Sequence, residues 1–281
     1  MKIVKTVSEI RDIVKEWRKA GYSIGLVPTM GYLHAGHGSL IEQSVKNNDK
    51  TVVSVFVNPT QFGPNEDLEK YPRDIKRDSE LVASLGGDII FNPELEEMYK
   101  KNNATTIKVE GLSQKLCGIT RPIHFAGVCQ VVSKLFNIVT PDNAYFGLKD
   151  FQQYVIINKM VDDLNFPVKI NPCAIVREES GLALSSRNVY LTDDERKSAL
   201  SLNQSLNYAK SLINSGEKRA SFIIDEITKI INNVPYSKID YVKIVDIDTL
   251  DDINTVEKKY AVLLAVYIGK TRLIDNFVEL S

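Results

Sequence analysis

The feature that most constrains the fold is an alternation. From Ser23 onward, short runs rich in β-branched residues take turns with longer stretches whose apolar residues recur at helical spacing. SIGLVPT precedes GHGSLIEQSVKNN, and TVVSVFVNP precedes an amphipathic stretch over Tyr71–Leu85. Gly86-Gly87 then leads into DIIF. Farther on, AGVCQVVSKLFNIVT, NAYFG, FQQYVIINKMVDDLN and VKINPCAIV repeat the order helix, strand, helix, strand. Elements of these lengths in this order predict a parallel sheet covered by helices on both faces. Ligands of such sheets gather at the carboxyl ends of the strands. The loops after VPT, FVNP, YFG and AIV are therefore where chemistry is expected.

Near Arg177 the pattern changes. Two helical stretches, TDDERKSALSLNQSLNYAKSLINSG and RASFIIDEITKIINN, are followed by three strand-like runs, IDYVKIVD, YAVLLAVYIG and TRLIDNFVEL. Helices and then strands, without alternation, predict a smaller α+β domain. The division falls at residues 1–175 and 176–281, which suits a 281-residue chain.

The composition supports a folded protein and excludes several classes. Hydrophobic residues at 43% and charged residues at 25% allow a sizeable core, unlike a disordered or fibrous chain. With 35 Lys+Arg against 36 Asp+Glu the net charge is −1, so the basic excess of a nucleic-acid binder is missing. Cys117, Cys129 and Cys173 are sparse, odd in number and without a CxxC pair, which fits core packing in a reducing compartment. Charges interrupt the N-terminal MKIVKTVSEIRDIVKEWRKAG, which reads as a short strand and an amphipathic helix rather than a signal peptide. The most apolar segment, Tyr260 to Gly269, is about half the ~20 residues a membrane helix needs. A soluble, cytoplasmic protein is expected.

Four short constellations carry candidate chemistry. In PTMGYLHAGHGSL, His34 and His37 stand three apart where a strand gives way to a helix, and so are expected to share a face of its first turn. Gly31, Gly36 and Gly38 let backbone approach a ligand, and a helix N-terminus favours phosphate. Imidazoles placed there can steady the charge that grows when a triphosphate is attacked. A zinc pair would need further ligands, and none lies close in sequence. The spacing lacks the Lys-Ser/Thr of a Walker loop. In SVFVNPTQFGPNED, the amides of Asn58 and Gln61 suit a small substrate bearing hydroxyl and carboxylate groups, although turn chemistry alone also places such residues there. In AYFGLKDFQQ, Lys149 is placed for phosphate, whereas Asp150 and Gln153 stand at capping positions of the following helix. In VREESGLALSSRN, Ser185, Ser186 and Arg187 form a candidate phosphate clamp or, alternatively, a capping loop at the domain junction.

In this order and spacing the four pieces resemble the pantothenate synthetase (pantoate–β-alanine ligase) family. PTMGYLHAGH looks like its version of the HIGH motif of nucleotidyl-transferring enzymes, and LALSSRN stands where a KMSKS-like loop belongs. FVNPTQF, YFGLKDFQQ and RPIHFAGVCQVVSKLFNIVTPDNAYFG match as well, so that the resemblance covers nearly the whole chain. Leu148, Leu184 and Gly38 depart from the residues common in the family. The resemblance implies an α/β fold, a Rossmann-like parallel sheet with helices on both faces plus a smaller C-terminal α+β domain. It implies an ATP-dependent ligase that joins pantoate to β-alanine through pantoyl adenylate, releasing pyrophosphate and AMP, with Mg2+ present and a homodimeric assembly. A different adenylyltransferase, acting on a phosphate acceptor, is the alternative.

Carried over residue by residue, the resemblance makes His34, His37 and Lys149 the catalytic set. His37 is then a proton donor, while phosphate binding fits the chemistry equally. ATP contacts fall on Met30, Gly31, Tyr32, Leu33, His34, Ala35, Gly36, His37, Gly147, Leu148, Lys149, Asp150, Val176, Leu184, Ser185, Ser186 and Arg187. Gln61 and Gln153 are implied ligands of pantoate, with Asn58, Arg121 and Tyr71 as further candidates around the substrate acids. Asp78 is a candidate contact for magnesium, and no metal ligand is assigned. Because an acyl adenylate hydrolyses readily, the site must exclude water. The Ser185–Arg187 loop and the C-terminal domain are the expected lid.

Overall fold

The computed structural model describes residues 1–64 and 66–279. The contacts divide the chain into two compact units, one of Met1–Leu148 with Gln153–Ala174, the other of Lys149–Gln152 with the chain from Ile175 onward.

The first unit runs through β1 (Lys2–Val4), α1 (Val7–Lys19), β2 (Ile24–Thr29), α2 (Ala35–Asn47), β3 (Lys50–Val55), α3 (Ile75–Ser84) and β4 (Ile89–Phe91). Two single-turn helices follow, α4 (Leu95–Met98) and α5 (Cys117–Thr120), and then α6 (His124–Val139), β5 (Asn143–Gly147), α7 (Phe151–Asp163) and β6 (Lys169–Cys173). The strands form a six-stranded parallel sheet in the order β1-β4-β3-β2-β5-β6. Residues on one face line up across neighbours, as Val27 with Val53 and Val53 with Ile90. That row is covered by Leu40 and Ile41 of α2 and Val82 of α3. On the sheet's other side α6 packs against β2, and α1 packs on α6. Alternate residues of a strand face opposite ways, so strands buried on both sides must be apolar throughout. Val52, Val53 and Val55 of β3 and Ile89, Ile90 and Phe91 of β4 satisfy this, whereas Thr51 and Ser54 of β3 are buried polar residues.

Three elements differ from expectation at their ends. The helix expected over Tyr71–Leu85 begins only at Ile75, because a residue before proline is driven out of the helical region and Pro72 holds Tyr71 there. The Asp74 side chain then caps the helix by accepting from the Arg77 N–H at 3.0 Å. β3 leaves the sheet at Val55 rather than at Asn58-Pro59, and β6 ends at Cys173 rather than Val176. β6 is an edge strand, the position in a sheet that tolerates its Pro172.

Strand order reverses between β2 and β5, the point at which an open α/β sheet binds ligands. The ladder there consists of two pairs, Gly25 with Asn143 and Leu26 with Ala144. Pro28, two residues beyond, has no N–H to extend it.

The second unit contains α8 (Asp193–Asn214), α9 (Ala220–Asn232), β7 (Ser237–Asp246), β8 (Tyr260–Ile268) and β9 (Thr271–Glu279). The strands form an antiparallel sheet in chain order. The third expected strand extends to Leu280, which lies outside the described residues. α8 contributes Ala199, Leu202, Leu206 and Ala209 to the core, and α9 contributes Ala220, Ile223, Ile227 and Ile231, each set at three- and four-residue spacing. They meet Val262, Leu264, Val266 and Ile268, alternate residues of β8. Each buried Leu, Ile or Val contributes about 1.5–3 kcal/mol. α8 starts on a capping box, in which Thr192 Oγ1 accepts the Glu195 N–H and a Glu195 carboxylate oxygen accepts that of Thr192.

All three cysteines are buried, in keeping with the packing role expected of them. Among the described residues no helix is long and apolar enough to cross a membrane.

Candidate active site

The HxGH segment leaves β2 at the strand-order reversal through a turn in the left-handed region, with φ +86° at Gly31 and +51° at Tyr32. A Cβ on Gly31 would stand 2.9 Å from Val55 Cγ1 and 3.1 Å from Asp78 Oδ2, so glycine is required here for conformation and space alike. Four consecutive N–H groups of the turn find partners within the protein. Gly31 donates to Thr29 Oγ1 (3.1 Å), Tyr32 to Asp78 Oδ2 (2.8 Å), Leu33 to Asp78 Oδ1 (2.7 Å) and His34 to His37 Nδ1 (3.4 Å). Burial pushes the Asp78 carboxyl up, against the pull of the Leu33 and Tyr32 N–H groups.

His34 is not on the first helical turn, contrary to expectation. It is the N-cap of α2, with extended backbone, and its Nδ1 accepts the Gly36 N–H at 3.1 Å. His37, three residues on, accepts the His34 N–H in return. This reciprocal cap brings the rings to 4.2 Å between centroids, tilted by 40°. An Nδ1 that accepts an N–H carries no proton, which leaves Nε2 as the donor atom of each ring. The departure at Gly38 also has a packing reason: a Cβ there would lie 3.3 Å from Leu85 Cδ1, where α2 approaches the end of α3.

Asn58 and Gln61 follow β3 as expected, but they differ in their surroundings. Asn58 is buried, and its amide is fully engaged: Nδ2 donates to Gln61 Oε1 (3.1 Å) and the Gly127 carbonyl (3.0 Å), while Oδ1 accepts from Thr60 Oγ1 and the Tyr99 hydroxyl, both at 2.9 Å. Two donors and two lone pairs exhaust an asparagine amide. Burial pushes the Tyr99 phenol up, which keeps it a donor. Gln61 turns Nε2 toward Met30 Sδ at 3.1 Å, so two predicted site residues, one after β2 and one after β3, meet directly.

Arg121 lies beside the same turn. Its Nε donates to Glu66 Oε1 at 3.0 Å and its Nη2 to Glu66 Oε2 at 2.5 Å, with the Gln61 carbonyl 3.5 Å from Nη2. Tyr71 is buried edge-on against Phe62. Gly147 ends β5, and a Cβ there would meet nothing within 4 Å. Leu148 and Gln153 are half-buried near the start of α7.

In the second unit, Lys149 and Asp150 belong to a 3-10 turn that precedes α7, and the Lys149 carbonyl accepts from Asn276 Nδ2 at 2.9 Å. Val176 and Leu184 close a hairpin through the Leu184 N–H and the Val176 carbonyl (3.0 Å). Arg177 braces it with a two-armed ion pair to buried Asp275, at 2.6 and 2.8 Å, and a bond to the Gly181 carbonyl. Ser185 caps the 3-10 segment Ser186–Tyr190 by accepting the Arg187 N–H at 3.2 Å, so capping is part of this loop's role. Ser186 is buried and Arg187 half-buried.

The sequence singled out neither His124 nor Glu66 nor Tyr99. His124 contacts the Gln61 carbonyl through Nδ1 at 3.0 Å. Its partner is 63 residues away, and no local spacing announces it. Among the described residues no group of three or more His, Cys, Asp or Glu side chains could hold a metal ion. Each oxygen of Asp78, the magnesium candidate, accepts one backbone N–H.

Comparisons with known proteins identify the chain's relatives. A family model described as pantoate-beta-alanine ligase matches residues 2–278. The chain is 58% identical over 275 residues to a pantothenate synthetase of Clostridioides difficile (strain 630), covering 98% of each. The crystal structure of pantothenate synthetase from Thermus thermophilus superposes with a TM-score of 0.95 at 41% identity, covering all of both chains. A pantoate-beta-alanine ligase from Francisella tularensis, complexed with beta-gamma ATP and beta-alanine, superposes with a TM-score of 0.81 at 35% identity over 99% of this chain and 97% of that one. The chain belongs to the pantoate-beta-alanine ligase family.

Proposed function

We propose that this chain condenses pantoate with β-alanine at the expense of ATP. A pantoate carboxylate oxygen attacks the α-phosphorus, the bond to the β-phosphate breaks, and pyrophosphate leaves. The β-alanine amine then attacks the acyl carbon of pantoyl adenylate and loses a proton as the C–O bond to AMP breaks. The observation that carries this reading is the family match over residues 2–278. The reciprocal His34–His37 cap at the strand-order reversal supports it.

Adenylation needs little proton transfer but strong neutralisation of charge on the phosphates. With Nδ1 of both rings committed to N–H groups, His34 and His37 act as Nε2–H donors to phosphate oxygens. This favours phosphate binding over proton donation for His37. The sequence resemblance assigns the triphosphate to Lys149, Ser185, Ser186 and Arg187 as well. It assigns the rest of the nucleotide to Met30, Gly31, Tyr32, Leu33, Ala35, Gly36, Gly147, Leu148, Asp150, Val176 and Leu184. Gln61 and Gln153 hold pantoate, Arg121 a substrate carboxylate, and Asn58 orients Gln61. Tyr71 lines the pantoate side. Mg2+ arrives on the nucleotide as part of the substrate, since such ions are held mainly by phosphates and water with few protein ligands.

The reading includes a division into residues 1–175, binding nucleotide and pantoate, and residues 176–281, acting as a lid. Hydrogen exchange checks it: ATP with pantoate should add protection at Ser185–Arg187, and unchanged exchange there counts against a lid. A homodimer in the cytoplasm completes the proposal, with light scattering as the check on the assembly.

The deciding experiment incubates the protein with ATP and magnesium and follows pyrophosphate and AMP. AMP release that requires both pantoate and β-alanine supports the ligase. Turnover with a phosphate acceptor in their place overturns it.

A further inference from the structure

A carboxylate buried beside a proposed triphosphate site is at first sight misplaced, since it should repel the substrate. Asp78 lies on α3 with 1% of its surface exposed, and the neighbouring Arg77 only partly offsets the cost of burying its charge. Its two oxygens instead take the N–H groups of Tyr32 and Leu33, 46 and 45 residues earlier, at 2.8 and 2.7 Å. Both distances lie in the range of charge-assisted bonds. The neighbouring Arg77 places its guanidinium 4.6 Å above the Tyr32 ring. One turn of α3 thus grips Tyr32 by backbone and by ring.

Tyr32 needs this grip. A residue with a side chain in the left-handed region costs roughly 1–2 kcal/mol, and the turn is made immediately before the histidine that caps α2. Without an acceptor for both N–H groups, the peptides between Gly31 and Leu33 would relax and the cap would move with them. Only a carboxylate serves: an amide offers one oxygen and would set its NH2 against the second N–H.

We infer that Asp78 is the positioning residue of the HxGH loop, fixing the left-handed Gly31–Tyr32 turn so that His34 and His37 present their Nε2 atoms together. The inference rests on the proposed role of the two histidines at the triphosphate. Asp78 touches no substrate in this account, and its negative charge is spent on the protein's own backbone.

The test is Asp78→Asn in the full-length protein, with one readout independent of turnover. Amide exchange at Tyr32 and Leu33, followed by NMR, should rise about tenfold or more, since each protected N–H then loses part of its acceptor. Pantoate-dependent exchange of pyrophosphate into ATP should slow by about 10- to 100-fold in kcat, the scale of a misplaced catalytic group. The kcat/KM for β-alanine should stay within about twofold, because that substrate enters after the triphosphate has gone. Unchanged amide exchange, or unchanged kcat, overturns the inference. So does an equal loss in kcat/KM for β-alanine and in kcat, which marks general loosening.

Should Asp78→Asn fail to fold, Arg77→Ala decides the matter, since it removes the other half of the grip together with the nearby charge that favours the Asp78 carboxylate. A loss of about two- to fivefold in kcat at unchanged melting temperature supports the inference, and wild-type kcat refutes it. If the wild-type protein itself shows no pantoate-dependent exchange, the ligase reading fails. The amide measurement still decides whether Asp78 holds the loop.

Discussion

Glu66 closes both arms of a fork on Arg121, with Oε1 3.0 Å from Nε and Oε2 2.5 Å from Nη2, next to the Gln61 carbonyl. This is the geometry a substrate carboxylate would adopt on the same guanidinium. If Arg121 binds the pantoate carboxylate as proposed, pantoate must compete with a carboxylate the protein supplies itself. Glu66→Gln is expected to lower the KM for pantoate about two- to fivefold at unchanged kcat, since it removes the competing charge from a pair whose side chains are only 16% and 23% exposed. Initial rates at saturating ATP check this, and a KM that stays or rises makes Arg121 a structural cation only.

Gly147 separates fold from function. Nothing within 4 Å would meet a Cβ there, and its φ is not positive, so Gly147→Ala should leave unfolding free energy within about 0.5 kcal/mol of wild type. If nucleotide approaches this strand end as proposed, the KM for ATP should rise several-fold all the same. Gly127→Ala is the contrast: its Cβ would lie 2.4 Å from the Thr60 carbonyl oxygen and 2.6 Å from the Gln61 nitrogen. Overpacking of that kind costs about 1–3 kcal/mol and should shift Gln61 as well. Urea unfolding together with the two KM values distinguishes the pair.

Arg177 and Asp275 should respond unequally to truncation. Asp275 is 1% exposed at its side chain and Arg177 26%. Arg177→Ala strands a buried carboxylate and should cost about 3–5 kcal/mol, whereas Asp275→Ala leaves a cation that can reach water and should cost less. Denaturant midpoints of the two variants give the order directly, and the reverse order would discredit the argument from burial.

Burial pushes the Cys129 thiol up to about 12 and the Cys173 thiol up to about 11, from an ordinary value of 9.0. Both groups stabilise the fold fully below pH 9. That contribution fades as the pH rises toward 11 and 12, because the unfolded chain ionises first. Stability should therefore decline above pH 9, and Cys129→Ala should flatten part of that decline. In the native protein at pH 8 a disulfide reagent should label neither thiol until denaturant is added. Rapid labelling would contradict their burial.

Much of this architecture was legible because its signals are local. The alternation of VVSV-like runs with amphipathic stretches needs only neighbouring residues, and so does the HxGH spacing. What stayed hidden depends on distant partners. His34 becomes a cap instead of a helical residue because the chain turns left-handed at Gly31–Tyr32, and that turn is held by Asp78 from the far side of a strand and a loop. Asn58 looks like a ligand in FVNPTQF, yet Tyr99 and Gly127 claim its amide across 41 and 69 residues. The late start of α3 has a local cause that the sequence does display, Pro72 after Tyr71.

The order of strands also sets the order in which the site can be assembled as the chain is made. β1 to β4, with α1 to α3, occupy an unbroken stretch from Lys2 to Phe91, and it includes Thr29, Asp78 and both histidines of the loop. β5, on the other side of the reversal, begins at Asn143 and joins β2 through two residue pairs. At synthesis rates of about 5–20 residues per second, the loop and its clamp precede the opposite wall by some seconds. The half that carries the histidine loop is in this sense a prefabricated part, onto which the rest of the sheet is later docked along a short seam.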